Sequence, residues 1–269
     1  MAEDAAGARV RELGGGVLMP VLGLGVWQMA EGRETEQAVE WALEAGYRHI
    51  DTATMYRNER SVGAALARSG LPREDVFVTT KWLPLRRGVG DELARSLERL
   101  RLEYVDLYLI HWPVPLRAAH GWAELLGLRE RGLARAVGVS NYGADRLAGL
   151  LREGPPPAVD QVHFNPFHFR RGLLEFCEQH GIVLEAYSPL ERERALDHPL
   201  VVEIARRLER TPAQVLLRWS IQHNAVVIPK SSHQDRIASN ARIFDFSLDP
   251  ADMQALDRLD TTGGTSRAR

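Results

Sequence analysis

Four polar residues in the first half of the chain could together carry out proton transfer. Asp51, Lys81 and His111 close the apolar runs YRHID, VFVTTK and VDLYLIH, and Tyr56 follows in the segment after Asp51. An isolated tyrosine has a pKa of about 10 and is a reluctant acid at neutral pH. A nearby ammonium lowers that pKa, and Asp51 would give the Lys81 ammonium a partner. Neutral His111 could then hold a carbonyl oxygen by a hydrogen bond.

Each of the four residues also has a purely structural interpretation. Asp51 could cap the following turn, and Tyr56 could be a surface or packing residue. Lys81 could be a solvated strand end, and His111 could be a satisfied structural histidine. Three such groups at three successive strand ends are harder to obtain by accident than any one of them, which favours the chemical interpretation.

Short β-rich runs alternate with longer amphipathic segments from one end of the chain to the other. Apolar residues at helical spacing mark ETEQAVEWALEAG, DELARSLERLRL and HPLVVEIARRLER as helices. Thr211 and Gln214 read as the N-cap and capping-box partner of a further helix. The predicted strands span residues 21–25, 47–51, 76–81, 105–111, 134–139, 159–162, 182–187 and 225–228.

Eight strands, each followed by a helix, predict an α/β fold, the (β/α)8 TIM barrel, whose active sites lie at the carboxyl ends of the strands. A doubly wound sheet would carry G-x-G-x-x-G after its first strand, where this chain reads GLGVWQM. VRELGGGVLMP, within residues of about 8–20, predicts an N-terminal β-hairpin that closes the barrel bottom. We expect one domain over residues 1–269, with a polar mobile tail at about 261–269.

Composition excludes several classes of protein. The net charge is -2, and no basic stripe indicates nucleic-acid binding. No apolar run approaches the roughly 20 residues of a membrane helix, and the N-terminus has no secretory h-region. The single cysteine, Cys177, predicts a packed small side chain and suits a reducing compartment. We therefore expect a cytoplasmic monomer with no metal site and no membrane partner.

The four polar residues contain no hydride source, so reduction of a carbonyl would require a cofactor. In IPKSSHQDRIASN, Lys230 and Ser231 leave the eighth predicted strand, and Arg236 and Asn240 fall on the following helical turns. Phosphate sites in barrels often lie near the last strands. A lysine, a hydroxyl and an arginine suit a phosphomonoester such as the 2′-phosphate of NADPH. The alternative is a solvated basic start of a helix.

Three stretches of sequence, taken in order, resemble the aldo-keto reductase superfamily over nearly the whole chain. They are GYRHIDTATMYRNERSVG at 46–63, RAVGVSNY at 135–142 and IPKSSHQDRIASNARI at 228–243, with TTKW and LIHWP between the first two. The chain is most similar to the bacterial 2,5-diketogluconate reductase-like group. The resemblance implies NADPH-dependent reduction of small-molecule carbonyl substrates, either α-dicarbonyls, keto-sugars or aromatic aldehydes.

The resemblance also implies roles for individual residues. The implied catalytic residues, called the tetrad below, are Asp51, Tyr56, Lys81 and His111. The implied cofactor contacts are Ser140, Asn141 and Gln161 at the carboxamide, Tyr187 at the nicotinamide ring, Ser188 and Leu190 near the pyrophosphate, Lys230, Ser231 and Arg236 at the 2′-phosphate, and Asn240 at the adenine. The implied apolar wall of the substrate pocket is Trp27, Trp82 and Trp112, which by residue type alone are packing aromatics.

The chain departs from the family pattern at several places. Ser239 stands where many members carry a glutamate near the adenine, and Asn165 stands where a histidine is common. AYSPL runs directly into ERERALDHP without the usual glycine, and the C-terminal tail is short for a long specificity loop. The short loop and tail imply an open, permissive pocket, whereas Ser239 bears on the adenine contact and Asn165 on barrel packing.

Two other functions are compatible with many of these residues. A barrel lyase or aldolase would use Lys81 as a Schiff-base nucleophile, but Asp51 favours the charged ammonium and the Ser140–Asn141 pair would have no role. A non-enzymatic NADPH-binding sensor or subunit on the same fold would keep the cofactor site. The complete tetrad argues against that alternative.

Overall fold

The computed structural model describes residues 2–3, 9–85, 87–114, 117–191 and 195–263. Its strands are β1 (Ala2–Glu3), β2 (Arg9–Glu12), β3 (Leu18–Pro20), β4 (Leu24–Gly25), β5 (His49–Asp51), β6 (Phe77–Trp82), β7 (Val105–Ile110), β8 (Ala134–Ser140), β9 (Val159–His163), β10 (Val183–Tyr187) and β11 (Val226–Val227). Its α-helices span Arg33–Glu44, Glu59–Ser69, Val89–Leu100, Arg117–Glu130, Ala144–Glu153, Arg171–Gln179, Pro199–Arg207, Pro212–Gln222, Gln234–Asn240 and Pro250–Asp257.

Strands β4 to β11 form one parallel sheet in chain order, and the sheet closes on itself. Leu22, just before β4, forms a parallel bridge with Val227 of β11. The Gly23 N–H donates to the Val227 carbonyl at 2.9 Å, and the Val227 N–H donates to the Val21 carbonyl at 2.9 Å. These bonds join the first strand to the last, so the predicted (β/α)8 barrel is confirmed.

The strand boundaries differ from the prediction mainly at this seam. The sequence predicts strands at 21–25 and 225–228, but the regular strands are limited to Leu24–Gly25 and Val226–Val227. The flanking residues pair through an isolated bridge rather than a continuous ladder. The strand expected at 105–111 ends at Ile110, so His111 is the first residue of the following loop.

The predicted N-terminal hairpin is confirmed and closes the amino-terminal end of the barrel. Strands β2 and β3 pair antiparallel around a turn of three glycines, 14–16, all with positive φ. Such backbone favours glycine because other residues would carry a strained Cβ there. Val17 and Met19 pack on the lower barrel interior, against Phe77, Leu107, Leu109, Ala136, Val159, Val183 and Val226. Strand β1, which the sequence did not predict, pairs antiparallel with β2.

The structure also bears on the predicted helix cap, on Cys177 and on the absence of a membrane helix. Thr211 and Gln214 form the predicted capping box, and the side chain of Cys177 is buried and unbonded to another cysteine. Within the described residues, no helix combines the length and apolar character needed to cross a membrane. Residues 264–269 of the predicted polar tail lie outside the described part of the chain.

Two helical glycines give a matched test of the helix packing around the barrel. A Cβ on Gly63 would overlap the carbonyl oxygen of Leu100 and lie 2.6 Å from its carbonyl carbon, whereas a Cβ on Gly127 would meet nothing within 4 Å. We expect Gly63→Ala to lower the free energy of unfolding by roughly 1–3 kcal/mol, since backbone cannot rotate away. Gly127→Ala should raise it by roughly 0.5–1 kcal/mol. Urea unfolding measures both, and an unchanged stability of Gly63→Ala would contradict this account of the packing.

Candidate active site

The structure brings the four predicted tetrad residues together at the carboxyl end of the barrel. Lys81 Nζ donates to Asp51 Oδ1 at 2.6 Å, to the Thr52 carbonyl at 3.0 Å and to the Tyr56 hydroxyl at 3.2 Å. The His111 and Tyr56 rings meet edge to face, with centroids 5.6 Å apart. All three N–H groups of the Lys81 ammonium therefore have acceptors. This arrangement favours the charged form and disfavours the free amine that a Schiff-base nucleophile requires.

The alternation of strand residues explains how Lys81 reaches this position. Phe77, Thr79 and Lys81 of β6 share one face, and Phe77 belongs to the barrel interior. Thr80, on the other face, donates to the Glu59 carboxylate of the surrounding helix layer at 2.7 Å. Because successive side chains point to opposite faces of a strand, every second residue of β6 enters the barrel.

The same alternation corrects the prediction for Trp82. Its indole is 4% exposed, its Nε1 donates to the Arg87 carbonyl at 3.0 Å, and its ring lies against Gly121. Trp82 follows the inward-facing Lys81, so its side chain points outward into the helix layer. It therefore packs in the core and does not line the cavity described below, whereas Trp27 and Trp112 do.

A buried hydrogen-bond network continues from the tetrad into the barrel. The Gln161 side-chain amide donates to Asp51 Oδ2 and to Glu185 Oε2, both at 2.8 Å. Glu185 is fully buried, and its other oxygen lies 3.6 Å from His49 Nε2. Sequence reasoning missed Glu185 and His49, although a charged residue within the apolar strand VLEAY was a usable signal.

The buried ion pair of Lys81 and Asp51 sets the charge of the site. Burial alone would disfavour the ammonium, but Asp51 and Tyr56 together outweigh burial and raise the pKa of Lys81. Burial raises the pKa of Asp51, and this shift is opposed by Lys81 and by the hydrogen bond from Gln161. We assign the pair as ammonium and carboxylate because each charge has a close, hydrogen-bonded partner.

Burial decides the protonation of the two groups that face the cavity. It raises the pKa of Tyr56 to about 12, with Lys81 opposing the shift. The ammonium of Lys81 does lower the pKa of Tyr56, as the sequence predicts, but burial raises that pKa by more because a phenolate is costly to desolvate. Burial, followed by repulsion from Lys81, lowers the pKa of His111 to about 3. Tyr56 is thus a phenol and His111 a neutral imidazole at neutral pH.

A cavity of about 320 Å³ opens above the tetrad. Its lining includes three tetrad residues, Asp51, Tyr56 and His111; the aromatic residues Trp27 and Trp112; and most of the residues predicted near the nicotinamide and pyrophosphate, Ser140, Asn141, Gln161, Tyr187 and Ser188. Residues far apart in the sequence therefore share one cavity. Lys81 supports its floor from below, with a fully buried side chain.

A second cavity, of about 650 Å³, adjoins the first and contains the predicted phosphate and adenine residues. It is lined in part by Leu190, Ser231, Arg236, Ser239 and Asn240, and Lys230 lines both cavities. The two cavities share Lys230 and are together called the groove below; it is apolar near the tetrad and bears two cations toward the helix Gln234–Asn240. This groove fits an extended ligand with a phosphate toward its far end, as a phosphorylated dinucleotide requires.

Hydrogen bonds hold the amide side chains at the cavity floor in fixed orientations. Asn141 Nδ2 donates to the His111 carbonyl and to Ser140 Oγ, both at 3.0 Å, while its Oδ1 accepts from the Tyr187 hydroxyl at 2.8 Å. Asn141 has φ of 65°, a left-handed conformation that asparagine tolerates better than most residues. The loop after β8 is therefore tied to His111 and to Tyr187.

Asn165, one of the departures from the family pattern, fixes the loop that follows Tyr187. Its Nδ2 donates to the Ser188 carbonyl at 3.0 Å, and its Oδ1 accepts from the Phe167 N–H at 2.9 Å. His163 stacks on the Tyr187 ring, with centroids 5.6 Å apart and planes 10° apart. Asn165 and His163 thus support the back of the residues that line the first cavity.

Comparison with known proteins agrees with this fold and site. The chain matches the Aldo/keto reductase family over residues 21–261. The protein belongs to this family. It is therefore an oxidoreductase that acts on carbonyl groups, as the sequence resemblance implied.

Individual relatives align over almost the whole chain. The 9,11-endoperoxide prostaglandin H2 reductase of Trypanosoma cruzi is 47% identical over 250 residues, covering 90% of this chain and 88% of that protein. The glyoxal reductase of Bacillus subtilis is 43% identical over 252 residues, covering 92% and 91%. The Bombyx mori aldo-keto reductase in complex with NADP has a TM-score of 0.88 and 32% identity, covering 97% and 94%.

The protonation of Glu185 gives a test of the buried network. Burial, followed by repulsion from Asp51, raises the pKa of Glu185 from 4.5 to about 8. As pH rises between these values, the unfolded chain releases this proton and the folded chain keeps it, so the wild type loses stability. Glu185→Gln does not titrate, and its stability relative to wild type should improve by roughly 2–4 kcal/mol between about pH 5 and about pH 8.

Urea unfolding at both pH values measures this difference. Glu98→Gln, a change at an exposed position of the helix Val89–Leu100, is the matched control for removal of one glutamate. An equal stability difference between Glu185→Gln and wild type at both pH values would show that Glu185 is ionised in the folded protein.

Proposed function

We propose that the protein reduces aldehydes and ketones to alcohols by hydride transfer from NADPH, with Tyr56 as the proton donor. The observation that carries the proposal is the Tyr56 hydroxyl, held 3.2 Å from the buried Lys81 ammonium on the wall of the cavity. The second cavity shares Lys230 with the first and also bears Arg236. The proposed proton donor therefore lies next to the proposed dinucleotide site.

The chain's own residues supply the proton and stabilise the charge. Tyr56 retains its proton at neutral pH because its pKa is about 12, so the phenol is protonated when the substrate binds. As the phenol gives its proton to the substrate oxygen, the neighbouring ammonium of Lys81 stabilises the developing phenolate. Asp51 keeps Lys81 charged and in place. Neutral His111 donates a hydrogen bond to the substrate oxygen and orients the carbonyl toward Tyr56.

The groove residues support NADPH as the cofactor, which would supply the hydride. Ser140, Asn141 and Gln161 lie at the cavity floor, where amide and hydroxyl groups can hold a carboxamide. The Tyr187 ring offers a face for the nicotinamide. In the second cavity, Lys230, Ser231 and Arg236 suit the 2′-phosphate, Leu190 the pyrophosphate region and Asn240 the adenine. The NADP complex of the Bombyx mori relative supports this choice.

The open, apolar entrance supports a permissive substrate range. Trp27, Met55 and Trp112 line the cavity and are 44%, 46% and 39% exposed, so the entrance is not capped by the described residues. Relatives named for glyoxal and for a prostaglandin endoperoxide differ widely in substrate size. We propose substrates of α-dicarbonyl, keto-sugar or aromatic aldehyde type, without one strongly preferred member.

Tyr56→Phe tests the proton donor. The variant keeps the ring and loses only the hydroxyl, so kcat/KM for NADPH-dependent reduction should fall by roughly 10²–10⁴-fold while NADPH affinity stays close to wild type. Tyr104→Phe is the control, because the Tyr104 ring packs against Arg73 outside the cavity. Initial rates over a panel of carbonyls measure the effect. A Tyr56→Phe variant that retains most activity would refute the assignment, and tight NADPH binding without turnover in wild type would indicate a sensor or subunit.

Arg236→Gln tests the cofactor choice. Loss of a charge-assisted hydrogen bond to a 2′-phosphate should raise the Kd for NADPH by roughly 10–100-fold, while the Kd for NADH, which lacks that phosphate, should change little. Arg95→Gln on the helix Val89–Leu100 removes an exposed arginine elsewhere and should alter neither affinity. Fluorescence titration with each cofactor gives the four constants. Equal affinity of the wild type for NADPH and NADH would contradict the assignment.

A further inference from the structure

Two histidines and a glutamate from three segments converge behind the Tyr187 ring. His163 ends β9, His168 ends the short 3-10 turn Pro166–His168, and Glu191 lies in the loop after β10. Among the described residues, they are the group of His, Cys, Asp or Glu side chains whose potential ligand atoms all lie within 4.8 Å of one another. None of the three lines the groove, and His163 is placed only behind the Tyr187 ring.

The distances in this cluster are close to those between the ligands of one metal ion. Glu191 Oε2 lies 2.7 Å from His163 Nε2 and 3.2 Å from His168 Nδ1. Ligand bonds of about 2.0–2.1 Å at tetrahedral angles place neighbouring ligand atoms roughly 3.3 Å apart. Both carboxylate–imidazole separations are thus near the spacing that a shared ion requires, and rotation of the two stacked rings would bring their lone pairs onto one ion.

A hydrogen-bonded arrangement alone leaves part of the cluster unsatisfied. His168 Nδ1 is shielded from solvent and makes no hydrogen bond, although Glu191 Oε2 lies 3.2 Å away. The His163 and His168 rings stack with centroids 4.0 Å apart, and one nitrogen of each lies within 3.2 Å of Glu191 Oε2, so the two nitrogens compete for one carboxylate oxygen. A ring nitrogen without a partner costs free energy that coordination to a metal would recover.

The surroundings hold the carboxylate in place and leave room for entry. Asn165 Nδ2 donates to Glu191 Oε2 at 2.9 Å, and the same group donates to the Ser188 carbonyl. A ligand carboxylate is commonly oriented by such a neighbouring donor. The three side chains are 28–33% exposed, so the cluster lies next to solvent, and rotation of the His168 ring would open its Nδ1 to an ion.

We propose that His163, His168 and Glu191 bind one divalent transition-metal ion of the zinc type through Nε2, Nδ1 and a carboxylate oxygen. Two imidazoles and a carboxylate suit Zn²⁺, whereas Mg²⁺ and Ca²⁺ prefer oxygen ligands. The ion would tie β9 and the turn Pro166–His168 to the loop that carries Ser188 and Leu190 of the proposed cofactor groove. The site is independent of the proposed reduction. It also differs from our sequence-based expectation of no metal site.

Metal titration of the full chain tests this proposal without any assay of activity. Protein freed of metal with a chelator is titrated with Co²⁺, and visible absorption reports tetrahedral coordination; Zn²⁺ then competes for the site. We expect one Co²⁺ per chain, displaced by one Zn²⁺, and a higher Tm in Zn²⁺ because the ion binds the folded state.

Variants identify the ligands. His168→Gln and Glu191→Gln should each weaken Zn²⁺ binding by at least about tenfold and abolish the Tm increase. His180→Gln is the control, since His180 is an exposed histidine whose Nδ1 lies against the Phe176 carbonyl. Circular dichroism confirms that each variant is folded, and His163→Gln serves if one of them is not. No stoichiometric binding, or binding that both ligand variants retain, would overturn the proposal and leave a hydrogen-bonded cluster.

Discussion

The buried ammonium of Lys81 is the constraint on which the rest of the site depends. Its side chain is fully buried, and removing an ammonium from water costs several kcal/mol unless partners are close. The structure provides three acceptors, on Asp51, Thr52 and Tyr56, all within 3.2 Å. These acceptors come from β5 and the turn that follows it, so the pairing of β5 with β6 is needed both for stability and for chemistry.

Two carboxyl groups, Asp51 and Glu185, lie near the buried cation of Lys81. Asp51 and Glu185 both accept from the amide of Gln161, and of these two carboxyl groups only Asp51 is hydrogen-bonded to Lys81. Two ionised carboxylates in this dry space would repel each other, so Glu185 keeps its proton and acts as a neutral partner. The two hydrogen bonds to Asp51 and Glu185 therefore fix the orientation of the Gln161 side chain. Because Gln161 lines the first cavity, that part of the cavity floor is fixed as well.

Rigid support reaches the cofactor groove along a chain of contacts. His111 is tied to Asn141, Asn141 to Tyr187, and Tyr187 stacks on His163. His163 in turn contacts Glu191 in the loop after β10. The groove residues nearest the tetrad, among them Asn141 and Tyr187, are therefore held by side-chain contacts between neighbouring strands and loops. A metal ion at the cluster behind Tyr187 would reinforce the end of this chain.

The sequence by itself determined the features that depend on local pattern. The ends of three apolar runs predicted that Asp51, Lys81 and His111 lie together at the carboxyl end of the barrel. Three successive glycines predicted the hairpin turn, and Thr211 predicted the start of a helix. These features follow from residue type and spacing, because strand alternation and capping act within a few residues. The family resemblance added the distant groove residues, which no local rule connects.

Tertiary structure decided what depends on packing between strands and on burial. Alternation after Lys81 turned Trp82 away from the cavity and into the core, whereas the family resemblance implied a place in the pocket wall. Glu185 meets Gln161 across β9 and β10, and His163 meets Glu191 through a loop, so neither contact is encoded by spacing. The pKa of Tyr56 rises rather than falls because desolvation depends on how deeply the fold buries the phenol, and burial belongs to the whole barrel.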